Sequence, residues 1–160
     1  MSCTGDPAVD RRVAAIAVEL GLDQPLVTPL PGGLANRTLR LQDGSHDYVL
    51  RLAGDAGTTL GASQGNEFAM LRLAAAAGLA PGIVLPRPAD GIIVMNHACG
   101  RMPGREDLRE PVFLARVGAW IARLHALPPP SLPATDFPVR AAAYLETMQA
   151  RHASSKVAEI

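Results

Sequence analysis

Aromatic residues are scarce in this sequence, 4% of 160, and there are two cysteines, Cys3 and Cys99. Two isolated cysteines exclude a disulfide-stapled scaffold, and no Cys or His pairs stand at the short spacing of a zinc site. Both thiols are expected to be free and inert. Net charge is lacking too, because fifteen basic residues balance fifteen acidic ones. With no field of one sign to steer a polyanion, a dedicated nucleic-acid binder is excluded. Long apolar runs are also missing. The longest uncharged stretch, Leu73 to Pro86, falls short of the roughly 20 residues that span a bilayer and is broken by Gly78, Pro81 and Gly82. Asp6, Asp10, Arg11 and Arg12 stand where an export signal would carry its apolar segment, so a cytoplasmic location is expected.

What is present is an ordinary globular balance, 48% hydrophobic and 19% charged, punctuated by 15 glycines and 14 prolines. Asp6-Pro7 offers a cap and a first-turn proline, after which Val13, Ile16, Ala17 and Leu20 recur at helical spacing up to Gly21. Leu26 to Pro31, Asn36 to Gln42 and Asp47 to Leu52 read as strands, the last two joined by Asp43-Gly44-Ser45. The first turn of this meander is Pro31-Gly32-Gly33-Leu34-Ala35. A helix is expected from Glu67 to Ala77, stopped by Gly78 and Pro81. Ile83 to Pro86 and Ile92 to Met95 form a second hairpin around Arg87 to Gly91. A helix opened by Pro111 shows Leu114, Val117, Ile121 and Leu124 on one face and stops at Pro128-Pro129-Pro130, and a last helix covers about Val139 to Arg151. The fold class is α+β, with a five-stranded antiparallel sheet and a flanking helix. Trp120 falls among Phe113, Val117 and Leu124 and is expected in the core, as Met70, Met95 and Met102 are expected only to pack.

Three features stand in the order a nucleotide-phosphate site requires. Gly32-Gly33 lies at a strand turn, where the lack of Cβ lets backbone amides approach phosphates, although hairpins use such glycines for other reasons. Period-two alternation puts Arg51 on the face of Val49 and opposite Leu50 and Leu52, and a guanidinium is a fork suited to phosphate oxygens. Glu67 starts the following helix, where an acid also complements the helix dipole. A glycine-rich hairpin, a strand cation and a helix glutamate are the parts of a protein-kinase N-lobe, in which the carboxylate holds the cation and the cation holds phosphates. An Arg51–Glu67 ion pair within about 4 Å is therefore expected.

With these residues the chain resembles the aminoglycoside phosphotransferase and choline/ethanolamine kinase family of kinase-like enzymes. The resemblance rests on Pro31-Gly32-Gly33-Leu34-Ala35-Asn36, Tyr48 to Gly54, Asn66-Glu67, Gly78-Leu79-Ala80-Pro81, Ile92 to His97 with Gly100, and Leu124-His125, and runs from Leu26 to Leu127. Arginine rather than lysine at position 51 looks like the choline/ethanolamine kinase branch. The resemblance implies ATP and Mg2+ as cofactors and a small-molecule substrate, an amino alcohol or aminoglycoside. It also implies that Gly32, Gly33 and Leu34 cover phosphates, Asn36 braces their loop, Arg51 grips phosphates, Glu67 orients Arg51, and Asn96, His97 and Ala98 meet adenine as the hinge. Residues 1–98 would form the kinase-like N-lobe and residues 99–160 a partial, truncated helical C-lobe.

The family's catalytic loop, His-x-Asp with a later Asn, and its metal-holding Asp have no match. His46-Asp47 precedes Arg51 in a hairpin, and Asp136-Phe137-Pro138 lacks the glycine of a metal-binding Asp-Phe-Gly. No catalytic residue is assigned, the Mg2+ ligands are expected in a missing C-lobe, and the chain alone is expected to be inactive. A nucleotide-binding or interaction module without phosphotransfer is the alternative. His125 reads as a helix C-terminal residue complementing the dipole, and His97 and His152 have no carboxylate or histidine partner at ligand spacing. The apolar face of the Pro111 to Leu127 helix is expected to be exposed and to favour self-association.

Overall fold

The computed structural model describes residues 4–31, 36–54, 64–131, 138–139, 141–146 and 148–149. Helix α1 (Pro7–Glu19) leads into strands β1 (Leu26–Pro29), β2 (Asn36–Gln42) and β3 (Asp47–Ala53), then helix α2 (Gln64–Ala76), strands β4 (Ile83–Arg87) and β5 (Ile92–Asn96), and helix α3 (Pro111–His125). All strand pairs are antiparallel, in the order β1-β2-β3-β5-β4. The α+β class and the five-stranded sheet flanked by a helix are thus as the sequence indicates.

Local chemistry explains the boundaries. Asp6 caps α1, its Oδ1 accepting from the amides of Ala8 at 3.0 Å and Val9 at 3.4 Å, and Gly21 leaves the helix region at a left-handed φ of 68°. The turn between β2 and β3 is built on Asp43, whose Oδ1 accepts from Ser45 N at 2.9 Å and His46 N at 2.7 Å. Between β4 and β5 a 3-10 turn, Pro88–Asp90, closes on Gly91 at φ 68°, a conformation that glycine adopts without strain. Strand β1 ends at Pro29, two residues before the expected Pro31, because proline cannot donate to a ladder; one further bond, Leu30 N to Thr38 O at 2.9 Å, precedes Pro31. Helix α2 begins at Gln64, three residues earlier than its leucine-rich run suggests. A 3-10 turn, Asp107–Arg109, precedes α3, and the described residues between 138 and 149 are helical.

Side-chain parity divides the sheet into two unlike faces. Leu39, Leu41, Leu50, Leu52, Ile92 and Val94 point to one face and form the main core with Val13, Ile16, Ala17 and Leu22 of the α1 region. Leu41, Leu50 and Val94 are wholly buried. Ion pairs fasten α1 over this face near both its ends, Arg37 to Asp6 at 3.2 Å and Arg87 to Glu19 at 2.5 Å, and Arg12 donates to the Asp90 carbonyl at 2.9 Å. The opposite face carries Asn36, Thr38 and Arg40 from β2, Asp47, Val49 and Arg51 from β3, and Ile93 and Met95 from β5.

Trp120 corrects the expectation of a core residue. It is 44% exposed, and no residue of α3 is buried among the described residues. Its neighbours at helical spacing do form an apolar stripe, but spacing along one helix says nothing of whether another element covers that stripe. Leu114 and Ile121 are exposed, as the sequence leads one to expect of this helix face.

Candidate functional site

Helix α2 stands beside the polar face of the sheet and brings Glu67, in its first turn, to Arg51 of β3. The Arg51 NH1 donates to Glu67 Oε1 in a close ion pair. Arg51 is there because Leu50 and Leu52 must point into the α1 core, and the residue between them is left on the other face. The pair lies in a small cleft, a cavity of about 20 Å³, that is also lined by Asn36, Ile93, Pro88 and Gly91. Three polar side chains from three different elements converge there. Asn36 starts β2; Gly32, Gly33 and Leu34 lie outside the described residues.

The other group of candidate residues, Asn96, His97 and Ala98, lies at the end of β5, four residues from Ile93 and so about 13 Å along the strand from the cleft. Two of their amides are engaged. Asn96 N donates to Gly82 O and His97 N to Asp47 O, both at 2.9 Å. A Cβ at Gly82 would stand 3.0 Å from Asn96 Nδ2, a tight contact that the exposed Asn96 side chain relieves with a small shift. Ala98 is exposed, and its amide has no protein acceptor among the described residues. Between the two groups the face is floored by the side chains of Val49, Ile93 and Met95.

Next to His97 is a cluster that motif reading passes over. Arg40 grips Asp47 with two hydrogen bonds, Nε to Oδ1 at 2.7 Å and NH2 to Oδ2 at 2.6 Å. The bonds from Arg40 hold the Asp47 carboxyl below its ordinary range, against a smaller opposing effect of burial, and the charges of Arg40 and His97 add to the lowering. The same bonds raise the Arg40 guanidinium, with a lesser contribution from the charge of Cys99. His97 Nδ1 lies 3.2 Å from Asp47 Oδ2, within ion-pair distance but without hydrogen-bond alignment, and is shielded from solvent. The sequence offers His97 no carboxylate at ligand spacing, and Asp47 comes beside it through register, because a residue fifty positions away in the chain is adjacent across the ladder. Asp47, Val49 and Arg51 alternate on one face of a strand, and that was the available signal.

Outside this face the polar groups do structural work. Asp43 is lowered to about 2, first by the backbone amide of Ser45 and then by His46 and Asp23, against the effect of burial. Asp107, also lowered to about 2, takes two bonds from Arg101 and one from the Gly104 amide and so shapes the segment before α3. Cys99 is a free, exposed thiol and His125 is exposed at the end of α3. Cys3, Asp136, Phe137 and His152 lie outside the described residues. Among the described residues no group of three or more His, Cys, Asp or Glu side chains is placed to hold a metal ion, and no helix is long and apolar enough to cross a membrane.

A two-faced antiparallel sheet with a strand arginine held by a helix glutamate defines a kinase-like lobe. Residues 26–159 match the family model described as the phosphotransferase enzyme family, and the chain belongs to that family. It shares its fold with a choline/ethanolamine kinase family protein from Mesorhizobium loti, with a TM-score of 0.64 at 24% identity over 88% of this chain and 46% of that one. It is similar as well to an ethanolamine kinase from Plasmodium vivax, with a TM-score of 0.65 at 15% identity over 88% of this chain and 38% of that one. The chain therefore spans less than half the length of either structure. No curated protein matches it in sequence.

Proposed function

We propose that this chain is the nucleotide-gripping part of an ATP-dependent small-molecule kinase, transferring the γ-phosphate to a hydroxyl of an amino alcohol or aminoglycoside-like acceptor. The observation that carries the reading is the Arg51–Glu67 pair, set in a cleft on the polar face of the sheet. An arginine aimed by a carboxylate keeps several N–H donors in fixed directions, which suits phosphate oxygens. On this reading Gly32, Gly33 and Leu34 cover the phosphates, Asn36 braces their loop, and Arg51 binds α- and β-phosphate oxygens with Glu67 as its orienter. The apolar floor of Val49, Ile93 and Met95 suits the flat base, and Ala98 N–H is the hinge donor, rather than the amides of Asn96 and His97, which are already bonded.

Residues 1–98 act as the N-lobe and residues 99–160 begin a helical C-lobe. Magnesium would neutralise charge on the phosphates, and no cluster among the described residues fits it. No base is assigned within the chain, since the sequence holds no His-x-Asp. This favours the second reading for the chain on its own: it binds nucleotide without transferring phosphate. On this reading the chain works in the cytoplasm, where ATP is available, and the exposed Leu114, Trp120 and Ile121 favour self-association, which sedimentation at rising concentration tests.

The test is equilibrium binding of ATP and ADP to the 160-residue protein, with Arg51→Ala beside it. Loss of charge-assisted phosphate bonds should weaken binding at least about tenfold. Incubation with ATP, magnesium and choline, ethanolamine or an aminoglycoside should release no ADP above the Arg51→Ala background. Binding indifferent to Arg51 overturns the site, and turnover that needs Arg51 overturns the assignment of the base elsewhere.

A further inference from the structure

The sheet's polar face carries charge at both ends of an apolar floor. At one end is the Arg51–Glu67 pair. At the other is the Arg40–Asp47 pair, diagonal across β2 and β3, with His97 against it. An arginine–aspartate pair alone would be an ordinary cross-strand contact, half exposed and of little consequence for stability. What sets this one apart is that Asp47 meets the first residue beyond β5 at two points, a backbone hydrogen bond and a close side-chain approach. Its carbonyl accepts from His97 N at 2.9 Å, and its carboxylate stands 3.2 Å from His97 Nδ1, a nitrogen shut off from solvent. Arg40, bonded to both carboxylate oxygens, keeps that carboxylate from turning away. The residue held in this way immediately precedes Ala98, whose amide has no protein acceptor among the described residues.

We infer that Asp47, steadied by Arg40, is a positioning residue for base recognition: by fixing His97 it fixes the direction of the Ala98 N–H that receives the nucleotide base. The inference rests on the nucleotide-binding reading above. It assigns recognition of the base and of the phosphates to separate ends of one face, each governed by an arginine–carboxylate pair. Preorganising a donor in this way lowers the ordering cost of binding without adding a contact. A residue that never touches the ligand then controls its affinity.

The experiment compares ADP with inorganic pyrophosphate, which carries phosphates and no base, on the 160-residue protein. Asp47→Asn, which keeps shape and backbone bonds, should weaken ADP about tenfold and leave pyrophosphate within about twofold, whereas Arg51→Ala should weaken both. Exchanging the pair, Arg40→Asp with Asp47→Arg, restores the cross-strand attraction but sets a cation against His97. ADP affinity should stay low in that protein. Recovery of ADP binding, or equal losses for ADP and pyrophosphate, would mean that the pair is only structural. A measurement without ligand judges the same point separately: the Ala98 amide order parameter should fall from the roughly 0.85 of rigid backbone to below about 0.6 in Asp47→Asn. If the parent protein binds no ADP, the nucleotide reading fails, and an unchanged Ala98 order parameter then overturns the positioning role on its own.

Discussion

Leu50 and Arg51 are neighbours in the chain with opposite surroundings, and truncating each to alanine should have opposite consequences. Leu50 is wholly buried, paired across the ladder with Leu39 and Val94 and facing α1. Leu50→Ala removes about three carbon groups at roughly 0.8 kcal/mol each, and the unfilled cavity brings the cost to about 3–5 kcal/mol. In a chain of this size that lowers the melting temperature by about 6–20 °C. Arg51 is 27% exposed and Glu67 39%, so the ion pair between them is worth at most about 1 kcal/mol to folding. Arg51→Ala should therefore shift the midpoint by no more than about 4 °C while abolishing phosphate affinity. Urea titration followed by far-ultraviolet circular dichroism, with differential scanning calorimetry, measures both. A loss of stability in Arg51→Ala as large as that in Leu50→Ala would show that the pair holds the fold together. A silent Leu50→Ala would show that the core is not where α1 meets the sheet.

Asp43 and Asp107 both have carboxyls lowered to about 2, so the stability they supply is fully present above the ordinary carboxylate range near 4 and is lost as pH falls through 2. Asp43→Asn should make the acid limb of a stability-against-pH curve shallower by up to about one proton, and an unchanged limb would refute the turn's electrostatic role. Asp6→Ala should cost about 1 kcal/mol in urea titrations through loss of the α1 cap, with Asp6→Asn recovering most of it; equal losses would assign the effect to the Arg37 ion pair instead. Trp120, the sole tryptophan, should be quenched readily by acrylamide and emit at long wavelength, whereas a shielded, blue-shifted signal would mean that α3 is covered in solution.

Most of the sheet was legible because its signals are local. Asp43-Gly44-Ser45 between alternating segments specifies a hairpin, and Leu50 and Leu52 around Arg51 specify which side of β3 is buried. The helix stops at Gly21 and Gly78 are left-handed residues, which glycine adopts most easily. The start of α2 was harder to place. Its first turn, Gln64-Gly65-Asn66, lacks apolar periodicity, and periodicity was the guide to its start. Trp120 failed for a different reason, since burial is decided by what lies opposite a helix and no helix encodes that in its own spacing.

The two halves of the candidate site were unequally readable for the same reason. Arg51 and Glu67 are sixteen residues apart, but each stands out from its neighbours, a cation in a strand and an acid opening a helix. Arg40, Asp47 and His97 stand out less, because charged residues at strand ends usually face water. They become one cluster only through register: four residues, Asp43 to His46, separate β2 from β3, which places Gln42 opposite Asp47 and Arg40 diagonal to it. The β3–β5 ladder then carries Asn96 to Tyr48 and His97 to the Asp47 carbonyl. A one-residue slip between β2 and β3 would turn either Arg51 and Asp47 or Arg40 into the α1 core and expose the leucines of that strand. Burying those charges away from their partners is prohibitive. The core that stabilises one face of the sheet is thus also what aims the charged groups on the other, and the Asp43 turn, which adjoins the Arg40–Asp47 pair, sets the geometry of both clusters.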